Sequence, residues 1–186
     1  PAMPQEGARD RRCFVALGTV EPRKNHALLI DAWDIMAARL PPEEIPDLHI
    51  LGAEGWCVGP LMARIRAHPL LGRSIHLHGA VSDADRAAWL TRATALLFPT
   101  RAEGFGFPPL EALQHGALPI CSDLPVLREV LGTHAVYLPY DDPYSWVETI
   151  MKRVAGKVAG PDGVRRLDWQ SHFDAVARAL AAHGLD

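Results

Sequence analysis

The chain has 186 residues, 48% of them hydrophobic and 22% charged, with a net charge of −3 at pH 7. That length accommodates one α/β domain with at most short appendages, and allows it to bury roughly 70% of the surface its unfolded form exposes. The weakly acidic balance excludes a general nucleic-acid binder, and no apolar run approaches the ~18 residues a membrane-spanning helix needs. No signal-peptide pattern opens the chain. Its three cysteines, Cys13, Cys57 and Cys121, are odd in number and far apart, which suits free thiols in a reducing cytoplasm better than a disulfide framework or a zinc cluster.

Pro1 to Arg11 reads as a polar linker or lead before the first apolar run, Cys13 to Leu17, which stops at Gly18. Ala27, Leu28, Ile30, Ala32, Trp33 and Met36 recur at spacings of three and four and predict a helix, ended by Pro41-Pro42 because proline cannot extend a helix interior. The rhythm then repeats. Leu48 to Leu51 reads as a strand stopping at Gly52, Leu61 to Ala67 as a helix, and Ile75 to His78 as a strand stopping at Gly79. Ser82 followed by Asp85 resembles a capping box for a helix ending near Ala93, and Ala95 to Phe98 is the next buried strand. Pro108 or Pro109 opens a helix closed by Gly116, Leu118 to Cys121 is a strand, and Pro125 to Leu131 a short helix closed by Gly132. Ala135 to Leu138 is the final strand, Asp142-Pro143 opens a helix to about Ala155, and a glycine-rich break precedes a last helix from about Trp169 to His183. Six short strands alternating with helices predict a Rossmann-like, doubly wound parallel sheet with helices on both faces. Residues 12–155 form this domain, between a lead (1–11) and a break with a crossover helix (156–186).

In such sheets ligands sit outside the carboxyl ends of the strands. Two of those exits carry the chemistry. After the fourth strand come Glu103-Gly104-Phe105-Gly106-Phe107 and, just inside the following helix, Glu111. The paired glycines let backbone approach a ligand closely. The helix start attracts an anion, and each carboxylate can accept two hydroxyl donors from a ribose or hexose diol. After the first strand come Gly18-Thr19-Val20-Glu21-Pro22-Arg23-Lys24-Asn25, where two cations beside a helix start suit a diphosphate, whose charge grows as it leaves during sugar transfer.

These segments resemble the donor-binding motifs of the family 4, or group 1, retaining glycosyltransferases of the GT-B fold. Glu103 and Glu111 match the family's Glu-x7-Glu signature, Gly18 to Asn25 its first phosphate loop, Gly79 to Asp83 its base-contacting loop, and Ala117 to Asp123 the strand after the signature helix. Four loops in the family's order and spacing make a specific match. The resemblance implies that Arg23 and Lys24, with Gly18 and Thr19, bind the donor diphosphate. It implies that Glu111 takes the ribose hydroxyls, that Glu103 with Gly104, Phe105, Gly106 and Phe107 holds the sugar, and that the backbone at Val81 meets the base. Where many members carry arginine just after the first strand's glycine, this sequence has Thr19. The match is closest to bacterial polysaccharide transferases reading GTVEPRKN or similar, often mannosyltransferases, which implies a hexosyltransferase using GDP-mannose. Its acceptor, a glycan or a lipid-linked glycan, would be held by an N-terminal domain that is absent here, leaving this part inactive by itself. The expected setting is the cytoplasm or the cytoplasmic face of the inner membrane.

The basic loop can neutralise a diphosphate unaided, so no cofactor and no metal are expected. His76 and His78 alternate on a strand, but the sequence supplies no third ligand, so a surface or core role is favoured. The roles of His26 and His115 stay open. Gly52, Gly55 and Gly59 lack dinucleotide-fingerprint spacing and read as a loop. Trp33, Met36, Trp89 and Trp146 read as core or domain contacts, and Phe173, Val176, Ala177 and Leu180 as an apolar stripe on the last helix. The alternative to a transferase is a non-catalytic nucleotide-sugar-binding or interaction module of the same fold.

Overall fold

The computed structural model describes residues 10–158. The expected break begins within them, with Gly156 at a left-handed φ of 70°, while the rest of the break, the last helix and most of the polar lead lie outside those residues. Six strands alternate with six helices: β1 (Asp10–Leu17), α1 (His26–Ala37), β2 (Asp47–Leu51), α2 (Gly59–Arg66), β3 (Ile75–Gly79), α3 (Asp83–Arg92), β4 (Ala93–Phe98), α4 (Phe107–Gln114), β5 (Leu118–Ser122), α5 (Pro125–Leu131), β6 (Val136–Leu138) and α6 (Pro143–Val154). Every pairing is parallel, in the order β3-β2-β1-β4-β5-β6. This is the doubly wound architecture expected.

The two faces of the sheet follow from the alternation of side chains along each strand. Phe14 and Ala16 point to one core, built with Leu29, Trp33 and Met36 of α1, Ile65 of α2, and Trp146 and Ile150 of α6. Cys13, Val15 and Leu17 point to the other, built with Trp89 and Leu90 of α3, Leu113 of α4 and Leu127 of α5. Trp33, Met36, Trp89 and Trp146 are all core residues, and the indole N–H groups of Trp33 and Trp146 donate to the Pro46 and Pro139 carbonyls at 2.9 and 2.8 Å.

The boundaries moved in places. Asp10 and Arg11, expected in the lead, belong to β1, whose polar start is held by pairing of Asp10 with Ala93 and by the Arg12 guanidinium on the Ile45 carbonyl. Helix α1 ends at Ala37, ahead of Pro41-Pro42. The Arg39 and Leu40 amides both turn back to the Met36 carbonyl, Leu40 is biased away from helix by the proline after it, and Pro42–Glu44 forms a separate 3-10 turn. The Ser82 hydroxyl accepts from the Asp85 amide at 3.1 Å and donates to the Asp85 carboxylate at 2.8 Å, so the cap forms with a reciprocal bond that runs side chain to side chain. Asp142 caps α6 as expected, through the Tyr144 and Ser145 amides.

The strand order reverses between β1 and β4, so the chain leaves the carboxyl ends of these two neighbours in opposite directions and opens a crevice there. The β1, β2 and β3 exits are joined by backbone bonds: the Gly18 amide donates to the Leu51 carbonyl (2.9 Å) and the Gly52 amide to the Gly79 carbonyl (2.8 Å). A side chain at Gly52 would overlap the Gly18 carbonyl, so glycine is required by this close approach. Gly52 and Gly55 are thus loop residues, as expected, whereas Gly59 opens α2 two residues ahead of the helix start expected at Leu61. Among the described residues no helix is long and apolar enough to cross a membrane.

Candidate active site

The loop after β1 folds into a 3-10 turn, Pro22–Lys24, and α1 starts two residues beyond Lys24. Asn25 makes the junction. Its left-handed backbone (φ 57°) turns the chain into the helix, a conformation asparagine tolerates better than most residues. Its buried amide donates to the Pro99 carbonyl at 3.1 Å and the Tyr140 carbonyl at 2.8 Å, tying the exits of β1, β4 and β6 together. The Arg101 amide donates to the Arg23 carbonyl at 2.8 Å, and the Thr100 hydroxyl lies 3.1 Å from that carbonyl and 2.8 Å from the Ala102 carbonyl. The sequence set Arg23 and Glu103 eighty residues apart; these bonds set them side by side.

At that junction lies a compact charge cluster. Lys24 Nζ donates to Glu103 Oε2 at 2.7 Å and stands 4.6 Å from the centre of the Phe98 ring. The Arg23 guanidinium reaches the same Glu103 oxygen at 3.2 Å, the Ala102 carbonyl at 3.0 Å and Glu21 at 2.7 Å. The side chains of Lys24 and Glu103 keep only 11% and 13% of their exposure, whereas Arg23 keeps 42%, so water screens the first pair least. Burial pushes the Glu103 carboxyl up, but the Lys24 ammonium, the Gly104 amide and Arg23 together outweigh it and hold the group below its ordinary range. Two cations face two carboxylates, so the site is balanced in charge and Lys24 is already engaged.

A cleft of about 330 Å³ opens beside this cluster, lined by Gly18 and Thr19 after β1, Gly52 after β2, Val81 after β3, and Arg86 and Glu111 from α3 and α4. Lys24 lies next to it, close enough that a side chain at Gly18 would meet the Lys24 Cε at 3.6 Å. Four residues singled out in the sequence therefore meet in one cleft, and Arg23, Lys24 and Glu103 meet in the adjoining cluster. The remaining ones lie beyond. Gly106 (φ 94°) leads into α4 and has no room for a side chain, which would lie 2.6 Å from Leu127. Gly104 stands in open space, and Phe105 and Phe107 project outward with their rings 4.8 Å apart.

Arg86 was not visible as a site residue in the sequence. Its Nε lies 3.1 Å from Glu111 Oε2 and its Nη1 3.1 Å from Asp83 Oδ1, so it fixes the Glu111 carboxylate from a neighbouring helix. Only the packing of α3 against α4 reveals the pair. Of the two open histidines, His115 caps the far end of α4, with Nδ1 3.3 Å from the Thr91 hydroxyl. His26 is buried at the start of α1, where burial and then Lys24 push its ring down to about 4, and its Nδ1 has no hydrogen-bond partner among the described residues.

Arranged this way, the carboxyl edge offers two cations for an anion, two carboxylates for hydroxyls and a lined cleft for a flat group. The chain is similar to known glycosyltransferases. A family model described as "Glycosyl transferases group 1" matches residues 11–155. The serotype-specific mannosyltransferase WbdA of Escherichia coli is 35% identical over 130 residues, covering 70% of this chain and 16% of that protein. The phosphatidyl-myo-inositol mannosyltransferase of Mycobacterium tuberculosis is 29% identical over 172 residues, covering 85% of this chain and 43% of that protein. The chain thus spans less than half the length of these relatives. Among solved structures, AviGT4, a glycosyltransferase involved in avilamycin A biosynthesis, superposes with a TM-score of 0.61 at 21% identity over 86% of this chain and 45% of its own. A Staphylococcus aureus TarM variant solved with fondaparinux, alpha-GlcNAc-glycerol and UDP superposes at 0.67 with 15% identity over 84% of this chain and 31% of its own. These two likenesses bear on the fold alone.

Proposed function

This chain belongs to the group 1 glycosyl transferases, and from that premise we propose that it is the donor-binding part of a hexosyltransferase working with retention. The donor is a nucleoside-diphosphate hexose, with GDP-mannose the leading candidate because the relatives are named as mannosyltransferases. The observation that carries the reading is the junction at the β1–β4 switch point, where Arg23, Lys24 and Glu103 share one carboxylate oxygen beside the cleft of Glu111 and Val81.

In this reading the diphosphate lies over the Gly18–Lys24 loop, Glu111 takes the ribose hydroxyls and Val81 borders the base. Glu103, with the backbone from Gly104 to Phe107, takes the hexose hydroxyls. During transfer the bond from the anomeric carbon to the diphosphate oxygen breaks, the acceptor oxygen bonds to that carbon on the same face of the ring, and its proton passes to the departing diphosphate. Lys24 and Arg23 stabilise the negative charge gathering on the leaving diphosphate, an electrostatic effect that single-donor removals put at about 3–4 kcal/mol. No metal is required, because the cations are built in. The acceptor, a glycan or a lipid-linked glycan, is positioned by a facing domain in the longer protein, at the cytoplasmic face of the membrane. Such positioning supplies roughly 7–11 kcal/mol of the barrier, so the chain by itself binds donor without turning it over.

Calorimetry with GDP, UDP and GDP-mannose, in buffer with and without a chelator, tests the binding half, and a sugar-transfer assay on the chain alone tests the other. Guanine-nucleotide binding that ignores the chelator, without transfer, is the expected result. Absence of binding to every nucleotide overturns the donor reading, and multiple-turnover transfer overturns the dependence on a facing domain.

A further inference from the structure

Away from the carboxyl edge, the parallel register of β2 and β3 sets His49 opposite His76. Asp47 lies two residues before His49, and His78 two after His76, so all four share one face of the sheet. That is the face of Leu51 and Trp89, and the Trp89 indole packs 4.3 Å from the His49 ring and 4.8 Å from the His78 ring. We propose that Asp47, His49 and His76 form a binding site for a single zinc-class transition ion that pins the edge strand β3 to β2.

The donor set favours that class. One carboxylate oxygen and one nitrogen from each ring lie within 4.8 Å of one another, and His76 Nε2 is 3.7 Å from Asp47 Oδ1. Bonds of about 2.0–2.2 Å in a tetrahedral site put ligand atoms about 3.4 Å apart, so the set closes around an ion when its widest edge contracts by about 1.4 Å and the His76 ring, stacked on His49 with the planes 12° from parallel, turns its nitrogen inward. His76 and Asp47 can supply it, being partly exposed at the rim, while His49 is held by its neighbours. His49 Nδ1 lies 3.0 Å from His78 Nε2. With the proton on His49 Nδ1, this bond fixes the ring and leaves Nε2 to face a cation, the way a ligating imidazole is oriented by a partner behind it. Two imidazoles and a carboxylate suit zinc, cobalt or nickel, whereas magnesium and calcium take all-oxygen shells. Water completes the fourth position. The site sits in the amino-terminal half of both strands, so the ion serves the fold and takes no part at the donor cleft.

The test uses the full 186-residue chain after chelator treatment, titrated calorimetrically with zinc chloride and spectroscopically with cobalt chloride. One equivalent of zinc at micromolar affinity or tighter is expected, together with the intense visible bands of four-coordinate cobalt. His76→Gln and Asp47→Asn should each weaken zinc at least tenfold, while His134→Gln, on an exposed turn, should not. Zinc at a hundredfold excess over the dissociation constant of the unaltered chain should raise its melting temperature by roughly 5–10 °C and that of either site variant by no more than about half as much. Failure to take up zinc, or an affinity that neither site substitution changes, overturns the proposal. Asp47 opens β2 and His76 lies on the edge strand β3, both partly exposed, and either variant that folds decides the question.

Discussion

Glu103→Gln separates the two jobs that the proposed site gives to this carboxylate, holding Lys24 and meeting the sugar. In the structure Glu103 occupies Lys24 at 2.7 Å and part of Arg23 at 3.2 Å, with both members of the Lys24 pair nearly shielded from water. A carboxylate about 6 Å from a phosphate costs about 3 kcal/mol at an effective dielectric of 20, before counting the order it imposes on Lys24. Removing its charge while keeping its shape frees the ammonium, and a net gain of about 1 kcal/mol tightens GDP about fivefold. GDP-mannose behaves differently, because the variant also loses a charged acceptor for the hexose hydroxyls, worth about 1.5–3 kcal/mol. The ratio of GDP-mannose to GDP affinity should therefore fall roughly 10- to 150-fold, read by calorimetry on both ligands. If both affinities change by the same factor, in either direction, Glu103 is only a scaffold for Lys24 and the sugar assignment is wrong.

Glu111→Gln should weaken GDP roughly ten- to hundredfold by removing a charged acceptor, and Arg86→Ala should weaken it less, by releasing that carboxylate from its partner on α3; equal losses for GDP and bare diphosphate would take Glu111 off the ribose. Gly52→Ala places a methyl group into the Gly18 carbonyl, so urea unfolding should show a loss of about 2–3 kcal/mol, and an unchanged midpoint would mean the two exits do not touch. His26 supplies a pH signature. Its folded value lies near 4, below the ordinary 6.5, so between these limits the unfolded chain binds the extra proton and stability falls as pH falls. The full effect is about 3 kcal/mol, and His26→Leu should flatten the unfolding free energy across that window relative to the unaltered chain.

What the sequence disclosed followed from local rules. Glycines at positions 18, 52 and 79 ended three strands where the apolar runs stopped, and Asp142-Pro143 and Ser82 opened helices that the structure caps with those side chains. The candidate site was legible wherever a single loop contained its members, as in Gly18 to Lys24 and Glu103 to Glu111. It was not legible where partners come from different elements. Nothing in the chain ties Arg86 to Glu111, because their contact depends on how α3 lies on α4. The bonds from Asn25 to Pro99 and Tyr140 depend on β1, β4 and β6 ending at one edge. His49 likewise gained its neighbours His76 and His78 only through strand register, which period-two alternation on one strand cannot supply.

The backbone bonds that join the exits of β1, β2 and β3 have a consequence for how donor choice can drift or be engineered. Where the cleft meets those exits it is lined by Gly18, Gly52, Ala53 and Ala80, which offer peptide groups and methyls that look much alike to any nucleobase or ribose. Gly52 cannot grow, since even a methyl group there collides with the Gly18 carbonyl, and Gly18 holds a φ of 127° that favours glycine. In the proposed donor site, side-chain discrimination falls to Thr19, Val81, Arg86 and Glu111, none of which belongs to the buried core. A library confined to those four positions should exchange one nucleotide for another at little cost in folding, with the invariant bed beneath them left to keep the sheet in register.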